Sequence, residues 1–289
     1  MDRIMSNEKL IEELRQKARR LRRESLLVMK EMNAGWLGGS FSAAEFVTAL
    51  FFYRMRHDPL NPCWDARDRL VMSKAHSCEI VYAALAEAGY LKEDELKTYS
   101  HPGSRLQVHV DCSAPGIDCS GGSLGLGLSF AVGAAMGAFI QPRGSNLSAM
   151  HRESPARFRV YCILGDGECN EGQVWEAAQN GAHYRLDNLT AIVDHNKFQS
   201  TDTVTARMNP ISLAEKFRAF GWETTEVDGN DLGAVIGSLD WILTVKDKPQ
   251  AIIAHTVKGK GFPSLEGTNC HQVTLTDELL KEGLEALAE

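Results

Sequence analysis

Ile163-Leu164-Gly165-Asp166-Gly167-Glu168, then Glu171-Gly172 and Trp175-Glu176-Ala177, then Asp194-His195-Asn196 at the close of the next β-rich run, carries the outline of a fold. The run Phe158 to Leu164 is short, apolar and β-rich, and it stops at a glycine turn. A helical segment follows, and Leu189 to Asp194 is a second run of the same kind. Going outward, Glu223 to Val227 and Ala251 to Val257 repeat the pattern, with helical stretches of about 15 residues between them. Towards the N-terminus, Arg69 to Ser73 reads as a short strand and Ser77 to Gly89 as a helix ended by glycine. Repeated alternation of strand and helix predicts an α/β fold, a doubly wound parallel sheet with helices on both faces.

The same stretch carries chemistry. Glycine lets a backbone approach a diphosphate closely, and the Asp166 carboxylate can bind a hard cation through oxygen. Asn196 adds a neutral carbonyl oxygen at the edge of the neighbouring strand. Gly-Asp-Gly alone is equally an ordinary turn. The second oxygen donor, one helix and one strand later, makes the pair a candidate cation site.

The rest of the chain is arranged around that half. Residues 1–34 hold a basic amphipathic helix, about Glu8 to Met32, in which Arg15, Lys17, Arg19, Arg20, Arg22 and Arg23 interleave with Leu14, Ala18, Leu21 and Val28. This predicts a solvated basic face. Gly35 to Ser42 reads as a Gly/Ser-rich turn, and Ser42 with Glu45 as a capping box opening a helix through Phe46, Leu50 and Tyr53. Tyr99 to Ser120 lacks periodicity and is a long loop, a type that is commonly functional. Gly121 to Gly137 reads as a buried helix entered through a glycine turn, and residues 141–157 as a surface loop. No internal repeat and no linker divides the chain, so residues 1–289 are expected to form one domain.

Composition narrows the function classes. The chain has 289 residues, 44% hydrophobic and 24% charged, with a formal net charge of −7. That balance argues against a nucleic-acid partner. The seven cysteines are odd in number and none form C-x-x-C, which disfavours a disulfide framework or a zinc ribbon and suits a reducing cytoplasm. A signal-peptide core and an apolar run long enough for a membrane span are both missing from the sequence, so neither export nor membrane insertion is expected.

The Gly-Asp-Gly and Asn pair resembles the thiamin-diphosphate motif, and from Gly35 to about His271 the chain resembles the N-terminal half of transketolase. The segment Asn61 to His76 is similar to the family's NP..P.RDR.VLSKGH, Gly122-Ser123-Leu124-Gly125-Leu126-Gly127 to GSLGQG, and Thr256 to Gly261 to TVKGKG. The resemblance implies thiamin diphosphate with Mg2+ or Ca2+ as cofactors, the metal ligated by Asp166, Asn196 and the main-chain oxygen of Phe198. It implies cofactor contacts from Gly165, Gly167 and Glu168, from Gly122, Ser123 and Leu124, and from His76 and His271. His76, His109 in the place of a GHP histidine, and His271 in that of a WHG histidine would act on substrate and move protons. Glu171 and Glu176 match carboxylates at the family's subunit interface, whereas His57, His151 and His183 are read as structural or surface residues.

Two departures qualify the resemblance. Where the family has GHPGG, this chain has Gly35-Trp36-Leu37-Gly38-Gly39, so Trp36 occupies the donor-facing place of a histidine and an indole cannot serve as an imidazole acid or base. The family's pyrimidine-binding half, which brings a glutamate to the cofactor, is not in the sequence. The resemblance thus implies an N-terminal subunit that transfers a two-carbon ketol unit from a ketose or ketose phosphate to an aldose. It would work with a C-terminal transketolase subunit in a two-plus-two hetero-oligomer. Two alternatives stay open, an α-type subunit of a thiamin-dependent 2-oxo-acid decarboxylating or acyloin-forming enzyme and a catalytically silent regulatory subunit.

Overall fold

The computed structural model describes residues 2–139, 157–208 and 212–288, with side chains from residue 8 on. The expected loop at 141–157 lies outside the described residues except for its last position, and so does His151. In chain order the elements are α1 (Asp2–Lys30), β1 (Ala34–Gly35), α2 (Leu37–Ser42), α3 (Ala44–Ala49), a π-helical turn (Leu50–Arg54) and β2 (Arg69–Met72). Then come α4 (Cys78–Glu87), α5 (Glu93–Leu96), α6 (Leu126–Gly137), β3 (Val160–Gly165), a 3-10 turn (Glu168–Asn170), α7 (Gly172–His183) and β4 (Leu189–His195). The chain closes with α8 (Val204–Met208), α9 (Leu213–Ala219), β5 (Glu223–Asp228), α10 (Leu232–Trp241), β6 (Gln250–His255), β7 (Val273–Thr274) and α11 (Asp277–Ala286).

Five strands form one parallel sheet in the order β2-β3-β4-β6-β5. Its central strands are apolar at consecutive positions because both faces are covered. Side chains alternate across a strand, so Met72, Tyr161, Ile163, Ile192 and Ile252 meet Leu14, Leu21, Phe46, Ile80 and Leu239 from α1, α3, α4 and α10. Val71, Cys162, Leu164, Val193 and Ile253 point the other way, to Leu128, Val174 and Phe217 of α6, α7 and α9. Each such side chain, fully buried, stabilises the fold by about 1.5–3 kcal/mol. This is the doubly wound sheet the sequence predicts. The loop from Tyr99 to Ser120 contains only turns and bends, also as expected.

Three local expectations are corrected. Gly35 to Ser42 is not a turn: Gly35 ends β1, which pairs antiparallel with β7, and Leu37–Ser42 form α2, every residue of which is buried. Its small residues let the helix lie against the C-terminal segment, where the Gly38 amide donates to the Cys270 carbonyl at 2.9 Å and the Gly38 carbonyl accepts from Gly259 at 3.1 Å. Ser42 does not cap α3, because its hydroxyl donates to Asp194 Oδ2 at 2.7 Å. The basic face of α1 is only partly solvated. Lys17 and Arg20 pair with Glu87, and Arg22 is buried in a two-pronged ion pair with Glu45. Packing against α3, α4, α10 and α11 covers one side of the helix, while Arg15, Arg19 and Arg20 stay exposed on the other. Among the described residues no helix is long and apolar enough to cross a membrane.

Candidate active site

Gly165 pairs with Asp194 in the β3–β4 register, so Asp166 and Asn196 leave adjacent strands at the same level. The Asp166 amide donates to the Asp194 carbonyl at 3.2 Å, tying the two exits together. Asp166 Oδ1 accepts the Gly167 amide at 2.8 Å, and Oδ2 accepts the Lys197 amide at 2.5 Å. Lys197 is held at φ 71°, a left-handed conformation that costs a non-glycine residue about 1 kcal/mol. The chain beyond it brings Gln199 back against Gly167. A Cβ at position 167 would lie 2.7 Å from Gln199 Cβ, so the second glycine is required by the neighbouring loop.

Asn196 is oriented by its surroundings. Its Nδ2 donates to Asp194 Oδ2 at 3.0 Å and its Oδ1 accepts the Phe198 amide at 3.1 Å. Asp194 is wholly buried and also accepts from Lys74, Ser42 and Thr256. Burial alone would raise its pKa, but the Lys74 ammonium and these hydrogen bonds outweigh that and hold the carboxyl below its ordinary value. Asp166 goes the other way. Burial first, and then the Asp194 charge, push its pKa up to about 7 against the two amide bonds and Lys74. Two buried carboxylates face one buried lysine here, and further positive charge would relieve the excess. The hard oxygen donors fit a divalent cation.

A cleft of about 370 Å³ opens over these strand ends. It is lined by Asp166, Asn196 and Phe198, by Gly165, Gly167 and Glu168, by Leu124 and Glu171, and by His76 and His271. The Glu168 carboxylate is engaged within the protein, by the Gly125 and Gly165 amides at 2.8 and 3.0 Å and by the Ser73 hydroxyl, and burial raises its pKa. His76 and His271 stand with ring centroids 5.0 Å apart. Burial, then the Lys74 charge, lowers the pKa of His76 to about 2, and burial, then Lys258, lowers that of His271 to about 4, so both are neutral at pH 7. His109 lies outside the lining, with its ring centroid 5.3 Å from Trp36, whose ring in turn is 6.4 Å from His76. Trp36 therefore stands beside two of the histidines. Gly122 and Ser123 are exposed on the loop before α6 and Glu176 on the outer face of α7; none of the three lines the cleft.

Sequence reasoning gave no site role to Lys74 and Lys258, which also line the cleft. Lys258 donates to Asn269 Oδ1 at 3.0 Å, and burial lowers its pKa to about 8. Both follow closely on strand ends, in Ser73-Lys74-Ala75-His76 and Thr256-Val257-Lys258, and that position was the signal available. Two cations, two neutral histidines and glycine-rich backbone beside oxygen donors suit a diphosphate bound through a metal.

The parallel sheet with Gly-Asp-Gly and Asn on adjacent strand ends defines a class: residues 14–287 match the family described as "Transketolase, thiamine diphosphate binding domain". The chain belongs to the transketolase family of thiamin-diphosphate-dependent transferases. It is 38% identical over 278 residues to a 6-deoxy-6-sulfo-D-fructose transketolase subunit of a Clostridium sp., covering 95% of this chain and 96% of the relative. It is 34% identical over 280 residues to an apulose-4-phosphate transketolase subunit of Phocaeicola vulgatus, covering 96% and 95%. Among solved structures, transketolase from Leishmania mexicana superposes with a TM-score of 0.86 at 28% identity over 95% of this chain but 41% of that one. Transketolase from Campylobacter jejuni does so at 0.84 and 30%, over 42% of its length. The chain thus spans less than half of those transketolases.

Proposed function

We propose that this chain is the diphosphate-binding subunit of a two-chain transketolase, transferring a two-carbon ketol unit from a ketose or ketose phosphate to an aldose. The observation that carries the reading is the likeness to relatives named as transketolase subunits. The chain covers nearly all of relatives named as subunits and only about two fifths of the solved transketolases. A partner bearing the pyrimidine-binding domain would supply the remainder, in a two-plus-two assembly working in the cytoplasm, a compartment that suits seven unpaired cysteines.

The exposed surface beside the cleft supports a partner. Helix α6 has a single polar side chain, Ser129, yet Leu126 is 53% and Phe130 40% exposed, and Gly133 and Gly137 continue the same stripe. A helix apolar all round belongs in an interior. Leu124, close by in sequence, is exposed, as are Glu171 at the start of the adjoining helix α7 and Glu176 on it.

Asp166, Asn196 and the Phe198 carbonyl would hold Mg2+, with Lys258, His76 and His271 towards the diphosphate. Thiamin diphosphate, when bound, supplies the electron sink for breaking the carbon–carbon bond next to a ketose carbonyl. His76 and His271, neutral at pH 7, are able to accept a hydrogen bond from a substrate hydroxyl, and the negative charge of a bound diphosphate would raise their low pKa values towards the range in which they move a proton; His109 stands further out, beside Trp36. The test mixes the chain with a C-terminal transketolase subunit, thiamin diphosphate and Mg2+, and assays xylulose 5-phosphate against a panel of aldehydes and 2-oxo acids. Two-carbon transfer from the sugar, abolished by Asp166→Ala, is the expected result. Turnover of a 2-oxo acid without the ketose would replace it with the acyl-transfer reading, and a rate of ketol transfer untouched by Asp166→Ala would make the chain a silent subunit.

A further inference from the structure

Glu79 is a wholly buried carboxylate for which the site described above has no use. It sits in the first turn of α4, three residues after His76, and reaches back under the turn between β1 and α2. Its Oε1 accepts the Trp36 amide at 3.0 Å and the Tyr99 hydroxyl at 3.2 Å, and its Oε2 accepts the Ser40 hydroxyl at 2.8 Å. Among the described residues it has no ion-pair partner, so three neutral donors and the positive end of α4 are what hold it. Room for it is made at Gly35, where a Cβ would lie 2.2 Å from Met29 Cγ and 3.0 Å from Glu79 Oε1. Burial raises the pKa of Glu79, a cost kept in place by the bonds it makes.

The same helix fixes the other two aromatic rings of the group. His76 precedes its first turn, and the Tyr82 hydroxyl donates to the carbonyls of Gln107 and His109 at 2.9 and 3.1 Å. Helix α4 thus carries His76 directly, His109 through Tyr82, and Trp36 through Glu79. The indole lies 5.3 Å from the His109 ring and 6.4 Å from that of His76. Among the described residues nothing accepts from its Nε1.

We infer that Glu79 is a positioning residue that locks the Trp36 backbone so that the indole stands against His76 and His109 at the edge of the cleft and selects among ketose donors. An indole fills the space there with an apolar face and a single N–H donor, and offers no acceptor. It favours a donor that presents an acceptor oxygen and little bulk to that edge. Selection among ketoses rests on the ketol-transfer reading above; the fixing of the indole by Glu79 does not.

Two measurements separate these. In the 15N-labelled chain alone, the Trp36 indole N–H resonance is assigned by its loss in Trp36→Phe. It should keep its shift in Glu79→Gln, whose carbonyl oxygen can still accept from Trp36 and Tyr99 while its amide donates to Ser40. It should move or broaden in Glu79→Met, which has the length but no acceptor. Ser40→Ala, which removes one anchor without adding buried bulk, should move it less, and answers the question if Glu79→Met does not fold. An unmoved resonance in both overturns the positioning role whatever the enzyme's reaction. In the reconstituted enzyme, Glu79→Met should lower kcat/KM for the preferred donor by about ten- to a hundred-fold. The ratio between xylulose 5-phosphate and fructose 6-phosphate should shift with it, and Glu79→Gln should restore both. Equal loss on both donors overturns selection by the indole. A wild-type enzyme inactive on every ketose would instead sink the ketol-transfer reading, and the resonance shift would still decide whether Glu79 holds Trp36.

Discussion

At the scale of single residues, the site is governed by how buried charge is shared. Asp194 accepts from Lys74, Ser42, Thr256 and Asn196, and so fixes the orientation of the Asn196 amide. Asp194→Asn keeps the shape but removes the charge that balances Lys74. We expect Mg2+-dependent thiamin diphosphate affinity to fall by about 10–100-fold, as second-layer changes around metals typically do. Calorimetric titration of the reconstituted protein measures this, and unchanged affinity would mean that Asn196 keeps its orientation unaided. His271 gives a pH signature in the cofactor-free chain. Its folded pKa, about 4, lies below the unfolded value of 6.5, so the unfolded chain takes up the proton first. The associated stability is complete above pH 6.5 and drains away as pH falls towards 4. The drop in melting temperature from pH 7.5 to pH 5 should therefore be smaller in His271→Asn than in wild type; an identical drop would remove His271 from the account.

At the scale of elements, α6 shows why a helix has to be judged with its surroundings. Its sequence predicts a buried helix, and in this chain one side of it is bare at Leu126, Phe130, Gly133 and Gly137. Both observations agree if a partner completes the burial. Phe130→Glu should leave the stability of the isolated chain within about 0.5 kcal/mol of wild type, because the position is already exposed. It should prevent co-elution with the C-terminal subunit on size exclusion. Normal assembly in this variant would move the interface elsewhere. The strands were readable because burial on both faces leaves a continuous apolar run. Helix α2 was not, since Leu37-Gly38-Gly39-Ser40 has the composition of a turn and becomes helical only through the backbone bonds of Gly38 to Cys270 and Gly259.

At the scale of the molecule, α1 and the C-terminal segment are tied to the core by contacts between residues far apart in sequence. Arg22 joins Glu45 of α3 and the Phe41 carbonyl of α2, and Glu45 also accepts from Asn230 at 2.9 Å in the turn after β5. Arg22→Met leaves Glu45 buried without its cation and should cost about 3–5 kcal/mol, with the double variant Arg22→Met/Glu45→Leu recovering most of it. Urea denaturation would show this, and a single-variant cost below about 1 kcal/mol would mean that water reaches Glu45.

The sequence by itself determined the parallel α/β order and the placing of Asp166 and Asn196 at the ends of neighbouring strands, because continuous apolar runs, glycine turns and their spacing are local or nearly so. Only the tertiary structure decided that Lys74 and Lys258 share the cleft, that Ser42 serves Asp194 rather than a helix end, and that Glu79 reaches Trp36. Those facts depend on which distant segments meet. A buried polar atom takes whichever partner the packed fold brings to it, and no residue's neighbours along the chain reveal that partner in advance.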